Sequence, residues 1–368
     1  VDIVCTGEGE LVLKELLDSK LNCEEVEGIQ YRLSNGDTKK NEQRELIDVD
    51  NLPVAEWDKF DLEKYFLFNN NHLNLMASRG CPYACTYCSA RALQKTLGRN
   101  YVRTRSVDNF LDEIGEVIDK YSDRGLKYLY FIDDIFIIRR KWVLEFCEKY
   151  IERGYHKKMR WTCSVRSNLI DGPELLEAMY KAGCYQVGMG VEAWDDEIRN
   201  KYYKRNMSLE QIRKSVGLIK ESGMKLSIQF IIGAPTETYD MMEQSLRLAK
   251  ELDADTLMFS ILMPLPGTEI NNVALSEGLM ESPNQESVLQ NSQVMYSQPV
   301  LKSHNMDRAQ IKKFYRKVRN YQIRKYVSEG LRLKGLFFIF DLIYFGVYLM
   351  PKYKLEVQND FKLKVRKY

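Results

Sequence analysis

Three cysteines fall in one short run, Cys81-Pro82-Tyr83-Ala84-Cys85-Thr86-Tyr87-Cys88. Their C-x3-C-x2-C spacing brings three thiolates to one point without supplying a fourth. A closed structural zinc site takes four protein ligands, commonly two C-x2-C pairs or Cys with His. No second pair or nearby histidine follows Cys88, and the nearest histidine, His72, lies on the other side of the run. A ferredoxin-type cluster also takes four cysteines. The next ones, Cys147 and Cys163, are separated from Cys88 by whole secondary-structure units. The run therefore reads as a three-thiolate site with one open metal position, and open positions are where metals do chemistry.

The elements that must position such a site follow from periodicity. From residue 72 onward, six apolar, β-rich runs (73–78, 128–136, 159–166, 185–192, 225–233 and 256–264) alternate with stretches of helical period (106–121, 141–151, 173–182, 208–221 and 238–252). In the first of these, Phe110, Ile114, Val117, Ile118 and Tyr121 recur at three and four residues. Ser106, and Asp171 with Pro173, give start signals, while Gly183 and Gly223 close two of the helices. Such alternation implies parallel strands joined by right-handed crossovers. Six units, not eight, predict an open or partial barrel with function gathered at the C-terminal strand ends, where the cysteine run lies.

The other strand ends carry polar groups. Asp133 and Asp134 follow an apolar run, a costly placement unless a cation or donors meet them, and either acid is also a candidate helix cap. Gly188-Met189-Gly190-Val191-Glu192 allows close backbone approach and then presents one carboxylate. Arg166 ends the third strand and suits either a bidentate ligand carboxylate or a salt bridge to Asp133 or Glu192. Strand five ends Ile231-Ile232-Gly233-Ala234-Pro235-Thr236-Glu237.

The cysteine spacing, with Tyr87 just before the third Cys, resembles the signature of the radical S-adenosylmethionine (radical SAM) superfamily. That resemblance implies an α/β fold, a partial (β/α)6 TIM-type barrel over about 72–300, with Cys81, Cys85 and Cys88 as ligands of a [4Fe-4S] cluster. The fourth iron would be chelated by SAM, with contacts from Tyr87, Asp133, Asp134, Arg166, Gly190, Glu192, Ile231 and Gly233. Glu237 stands one place later than the usual spacing of the adenine segment. Residues 1–25, strand, glycine turn and helix, resemble the end of a Rossmann-like cobalamin-binding domain, and 26–71 resemble a linker with a hairpin. The chain opens on Val1 as if mid-fold, which suggests a fragment of a longer protein. Cobalamin is thus expected as a further cofactor of the full-length protein. The implied activity is reductive SAM cleavage to a 5′-deoxyadenosyl radical, with cobalamin-dependent methylation, cyclisation or rearrangement of an unactivated carbon. A flavodoxin- or ferredoxin-type electron donor and a small-molecule or lipid-like substrate complete the expected partners. A methylthiotransferase-like RNA modifier and a non-catalytic iron-sulfur carrier are the alternatives.

Composition sets the frame. The 368 residues are 45% hydrophobic, enough for a substantial core, and eight cysteines are too few for a disulfide scaffold. A three-thiolate site needs a reducing compartment, so the cytoplasm is expected. Cys5, Cys23, Cys147, Cys163 and Cys184 read as buried small hydrophobes. The net charge of +2 hides an asymmetry: residues 301–368 carry 17 Lys+Arg against 5 Asp+Glu, and residues 1–300 carry 37 against 47. The segment 302–334 reads as a basic amphipathic helix and 335–350 as an aromatic apolar run holding Asp341. Packing on the barrel and peripheral contact with an anionic membrane are the two readings of this extension, with nucleic acid disfavoured.

Overall fold

The computed structural model describes residues 2–98, 101–280 and 298–332, with side chains to residue 325. Residues 1–312 form one compact unit and 313–368 a second.

The first unit opens with strand β1 (Ile3–Cys5), helix α1 (Gly9–Asp18), and the hairpin of β2 (Ile29–Arg32) and β3 (Thr38–Lys40). These strands form an antiparallel sheet in the order β1-β2-β3, so the opening strand pairs with the hairpin that follows it. Val12 and Leu16 of α1 pack on Val26, Ile29 and Tyr31, which gives this sheet its own small core.

After α2 (Leu62–Phe68) comes the barrel: β4 (His72–Leu75), β7 (Tyr128–Phe131), β8 (Arg160–Val165), β9 (Cys184–Glu192), β10 (Lys225–Ile232) and β11 (Thr256–Ile261). All five pairings are parallel and each strand joins the one before it, in the order β11-β10-β9-β8-β7-β4. The crossover helices are α4 (Val107–Tyr121), α5 (Arg140–Glu152), α6 (Pro173–Lys181), α7 (Leu209–Glu221) and α8 (Tyr239–Leu252). The expected six-unit partial barrel is therefore present. A capping box of Ser208 and Gln211 starts α7, and Pro173 opens α6. Ser106 precedes α4 but makes no side-chain cap.

Alternation along the strands sends Leu129, Phe131, Trp161, Cys163, Val187, Met189, Ile228 and Phe230 outward beneath the helices, all essentially buried. Phe131, Phe136, Phe146, Trp142 and Trp161 interlock there with ring centroids 5.0–5.7 Å apart. Each such side chain contributes roughly 1.5–3 kcal/mol on burial.

Two expectations need correction. The run 73–78 is not one strand: β4 stops at Leu75, and Ser78–Arg79 (β5) leaves the barrel to pair with Arg103–Thr104 (β6). The cause is Asp133, which accepts hydrogen bonds from the Ala77 N–H and the Ser78 hydroxyl and turns the chain away. Cys147, Cys163 and Cys184 are buried, but Cys5 is exposed and Cys23 half-buried. The C-terminal helix Arg308–Arg332 is present, and in its described part Ile311, Phe314 and Val318 are buried at helical spacing while Lys313, Arg316, Lys317 and Arg324 are exposed, the pattern of the basic amphipathic helix expected. No helix among the described residues is long and apolar enough to cross a membrane, and the apolar run 335–350 lies outside them.

Candidate cofactor site

The cysteine run sits on the loop between β5 and α3 (Ser89–Leu97), with Cys88 at the head of the helix. Gly80 enters the loop at φ +89, and a Cβ there would meet Tyr101 O at 2.6 Å, so only glycine fits. The loop is pinned from three sides. The Thr86 hydroxyl donates to Tyr202 O (2.5 Å), the Ile270 N–H donates to Thr86 O (3.1 Å), and the Asn168 amide donates to the Tyr83 hydroxyl (3.1 Å).

Two guanidiniums face the middle thiol. Arg166 Nη1 lies 3.9 Å and Arg205 Nη1 3.7 Å from Cys85 Sγ. Arg166, 1% exposed, stacks 3.8 Å over the Tyr83 ring and donates to Asn168 Oδ1 and Arg205 O. It makes neither of the salt bridges weighed for it, to Asp133 or Glu192; burial and the neighbouring Arg205 charge lower its pKa. Arg205 donates to Gly190 O (2.9 Å) and lies 3.6 Å from Glu192 Oε1, while its buried Nε has no partner among the described residues. Burial opposes its charge, but Tyr87, Glu192 and Cys85 outweigh that and raise its pKa. Burial pushes the Cys81 thiol up to about 11, helped by the nearby charges of Asp134, Cys85 and Cys88. Cys88 rises for the same first cause, with Cys85 and Asp134 again contributing. The three thiols and Asp134 thus share one electrostatic neighbourhood.

The carboxylates divide by role. Asp133, 3% exposed and pushed up to about 6 by burial, is occupied in holding Ala77 and Ser78. It caps no helix. Asp134 has no side-chain hydrogen bond to any described residue, and burial alone raises its pKa. Glu192 ends β9 at φ +70, a rare conformation for a side-chain-bearing residue, where the β9–β10 register slips between Gln229 and Phe230. Its Oε1 accepts from the Tyr87 hydroxyl at 2.9 Å. A Cβ at Gly190 would overlap that oxygen and stand 3.0 Å from Arg205 Nη2, so the glycine makes room for the carboxylate to fold back. Tyr87 and Ile231 pack on one apolar cluster that includes Tyr203 and Ala234. Gly233, at φ +86, and Ala234 donate backbone N–H bonds to Glu237 Oε2, at 2.5 and 3.1 Å. Buried Glu237, pushed up to about 8, is the keystone of that turn.

Sequence reading missed Arg205. It sits among Tyr202, Tyr203, Lys204 and Asn206, a basic stretch that would ordinarily be solvated. A π-helix over Glu197–Tyr202, followed by Lys204 and Asn206 at φ +52 and +49, turns it inward. Buried Arg199 anchors this turn by donating to Ala193 O, Trp194 O and Met207 O.

As a donor set, three thiols flanked by two cations suit an anionic iron-sulfur cluster. No three His, Cys, Asp or Glu side chains among the described residues converge as ligands of a single ion. A cubane differs from a single ion in presenting separate iron corners to its thiolates.

A profile of the Radical SAM superfamily matches residues 75–249, from the end of β4 through most of α8. An uncharacterized methyltransferase of Pyrococcus horikoshii is 31% identical over 340 residues, 91% of this chain and 69% of that protein. The chain belongs to the radical SAM superfamily. Members of this superfamily use a [4Fe-4S] cluster and SAM. An anaerobic magnesium-protoporphyrin IX monomethyl ester cyclase of Rubrivivax gelatinosus is 27% identical over 323 residues, 84% of this chain and 54% of the cyclase. The fold is shared with the radical SAM methyltransferase TsrM of Kitasatospora setae, solved with tryptophan and a SAM analog (TM-score 0.62, 17% identity, 75% of this chain and 54% of TsrM). A second TsrM structure, with cobalamin and a [4Fe-4S] cluster bound, superposes at a TM-score of 0.60 with 16% identity, covering 77% of this chain and 55% of TsrM. The chain thus spans about half the length of the cyclase and of TsrM.

Proposed function

We propose that this radical SAM enzyme holds a [4Fe-4S] cluster on Cys81, Cys85 and Cys88 and, with cobalamin, methylates an unactivated carbon of a small molecule. The observation that carries the reading is Cys85 set between two buried guanidiniums, with unpartnered Asp134 in range of Cys81 and Cys88. When bound, the cluster supplies the electron for reductive SAM cleavage and cobalamin supplies methyl-transfer chemistry.

The chain's residues bind and orient. Asp134 is free to accept hydrogen bonds from the SAM ammonium group, while the Arg205 guanidinium contributes positive charge that favours the SAM carboxylate. Arg166 adds positive charge beside Cys85 and, through Tyr83, fixes the loop. Glu192, held by Tyr87 and Arg205, offers its second oxygen to the ribose. Gly190 keeps that carboxylate folded back, and the Ile231–Gly233 backbone offers an edge to the adenine. Asp133 positions the loop and leaves SAM binding to Asp134. An external flavodoxin- or ferredoxin-type protein would deliver the electron.

Methylation is favoured over cyclisation because the 31% identical relative carries a methyltransferase name. The test is anaerobic reconstitution with iron, sulfide, cobalamin and methyl-labelled SAM under dithionite. Label appearing on cobalamin supports methylation; 5′-deoxyadenosine formed with no label on cobalamin would move the reading to cyclisation or rearrangement.

A further inference from the structure

The concave face of the half-barrel, below the cysteine loop, carries polar groups that no described residue engages. Alternation along the strands points Tyr130, Thr162, Ser164, Gln229 and Ser260 inward, opposite to the buried apolar residues of the convex face. None of these five side chains hydrogen-bonds to a described residue, and none has a polar atom sealed from water. At their centre Gly188 leaves a gap: the position its Cβ would take lies 3.9 Å from Gln229 Nε2 and 4.0 Å from Ser164 Oγ. An amide and a hydroxyl therefore flank one open spot.

No charged side chain comes within 4 Å of the position a Gly188 Cβ would take. The charges stand above, at Asp134, Arg166 and the Glu192–Arg205 pair beside Gly190, and below, at Arg160 and Lys225. The lower end is closed by aromatic rings: His72 stacks on Tyr128 at 5.0 Å, Tyr128 meets Tyr185 at 5.2 Å, and Tyr185 donates to His72 Nε2 at 2.7 Å. A carboxylate or phosphate placed between would lose its hydration without a counter-charge. A hydrocarbon chain would strip water from five hydrogen-bonding groups for contact, at this level, with Met258 beside Gln229.

We propose that the substrate presents an uncharged hydrogen-bonding group, of the carboxamide kind, to Ser164 and Gln229 across Gly188. Resting on the radical SAM reading for its place in the reaction, this assigns the substrate to polar neutral molecules and away from lipids. A Cβ at Gly188 meets only ordinary contacts and Gln229 is solvent-exposed, so variants at both positions keep the fold.

The experiment is saturation-transfer NMR on the full chain with three probes: nicotinamide, nicotinate and farnesol. Nicotinamide is expected to bind at least about fivefold more tightly than either of the others, and Gln229→Leu or Gly188→Leu to weaken it by roughly five- to tenfold. Tighter binding of nicotinate or farnesol, or nicotinamide binding unchanged in both variants, would overturn the proposal. Probe binding requires neither cluster nor SAM. A failure of SAM cleavage would therefore break the functional reading and leave this result standing on its own.

Discussion

Two cysteine triplets lie in this barrel, and they differ in exposure and in the charges around them. Cys81, Cys85 and Cys88 occupy a loop at the strand ends, partly open, with two guanidiniums on the central sulfur. Cys147, Cys163 and Cys184 are also neighbours: Cys163 shares a hydrogen bond with Cys184 and feels Cys147. Yet all three are at most 1% exposed, and burial drives the Cys147 and Cys163 thiols up. Proximity of three sulfurs is therefore not a metal site. A thiolate needs a compensating cation and an open side, and the convex face offers neither.

The largest expected effect tests that contrast directly. Cys85→Ala should take iron in the reconstituted protein from about four per chain to near zero and abolish SAM cleavage. Cys163→Ala should leave iron content unchanged. Full iron in Cys85→Ala would erase the distinction between the triplets.

Removing the cation should cost less. Arg205→Met strips the loop of one charge and leaves Glu192 without its ion pair. SAM binding measured by equilibrium dialysis should weaken on the order of 30- to 100-fold, equivalent to roughly 2–3 kcal/mol. Arg205→Lys should recover part of this. Affinity equal to that of the parent in both variants would remove Arg205 from the site.

The carboxylates repeat the contrast between open and sealed groups. Glu237 has a folded pKa of about 8 against an ordinary 4.5, so the folded state keeps a proton that the unfolded state releases. Its contribution to stability is full below pH 4.5 and lost as pH rises through 8, on the order of 4 kcal/mol. Glu237→Gln keeps the acceptor for Gly233 and Ala234, and should flatten the fall in denaturant midpoint across that window. An unchanged slope would place the pH dependence elsewhere.

The smallest effect belongs to the convex triplet. Cys163→Ala should lower stability by about 1–2 kcal/mol through lost packing. In the native apoprotein, Cys147, Cys163 and Cys184 should resist a thiol reagent that modifies Cys5 and Cys23, and react only on unfolding. Native labelling of Cys163 would show that the convex face opens.

Much of this was legible in the sequence, for identifiable reasons. Parallel strands buried on one face and helices of regular period write strong patterns, so the crossover helices begin and end within a residue or two of the expected spans. The cysteine loop was legible because its spacing is specific. The division between Asp133 and Asp134 was not, because adjacent acids have the same chemistry until the backbone shows which one Ala77 and Ser78 occupy. Arg205 was invisible because its inward turn depends on a π-helix, which leaves no composition signal. The break at Leu75 was hidden for a related reason: the residues 73–78 favour one strand, and a partner 55 or more residues away overrides them.

The central claim is that the loop cysteines hold a cluster with one corner open to SAM. Electron paramagnetic resonance of the anaerobically reconstituted, dithionite-reduced protein tests it most directly. The account predicts a [4Fe-4S] signal whose g-values shift when SAM is added, and no signal in Cys85→Ala. A cluster signal that SAM leaves unchanged, or one that survives in Cys85→Ala, would contradict it.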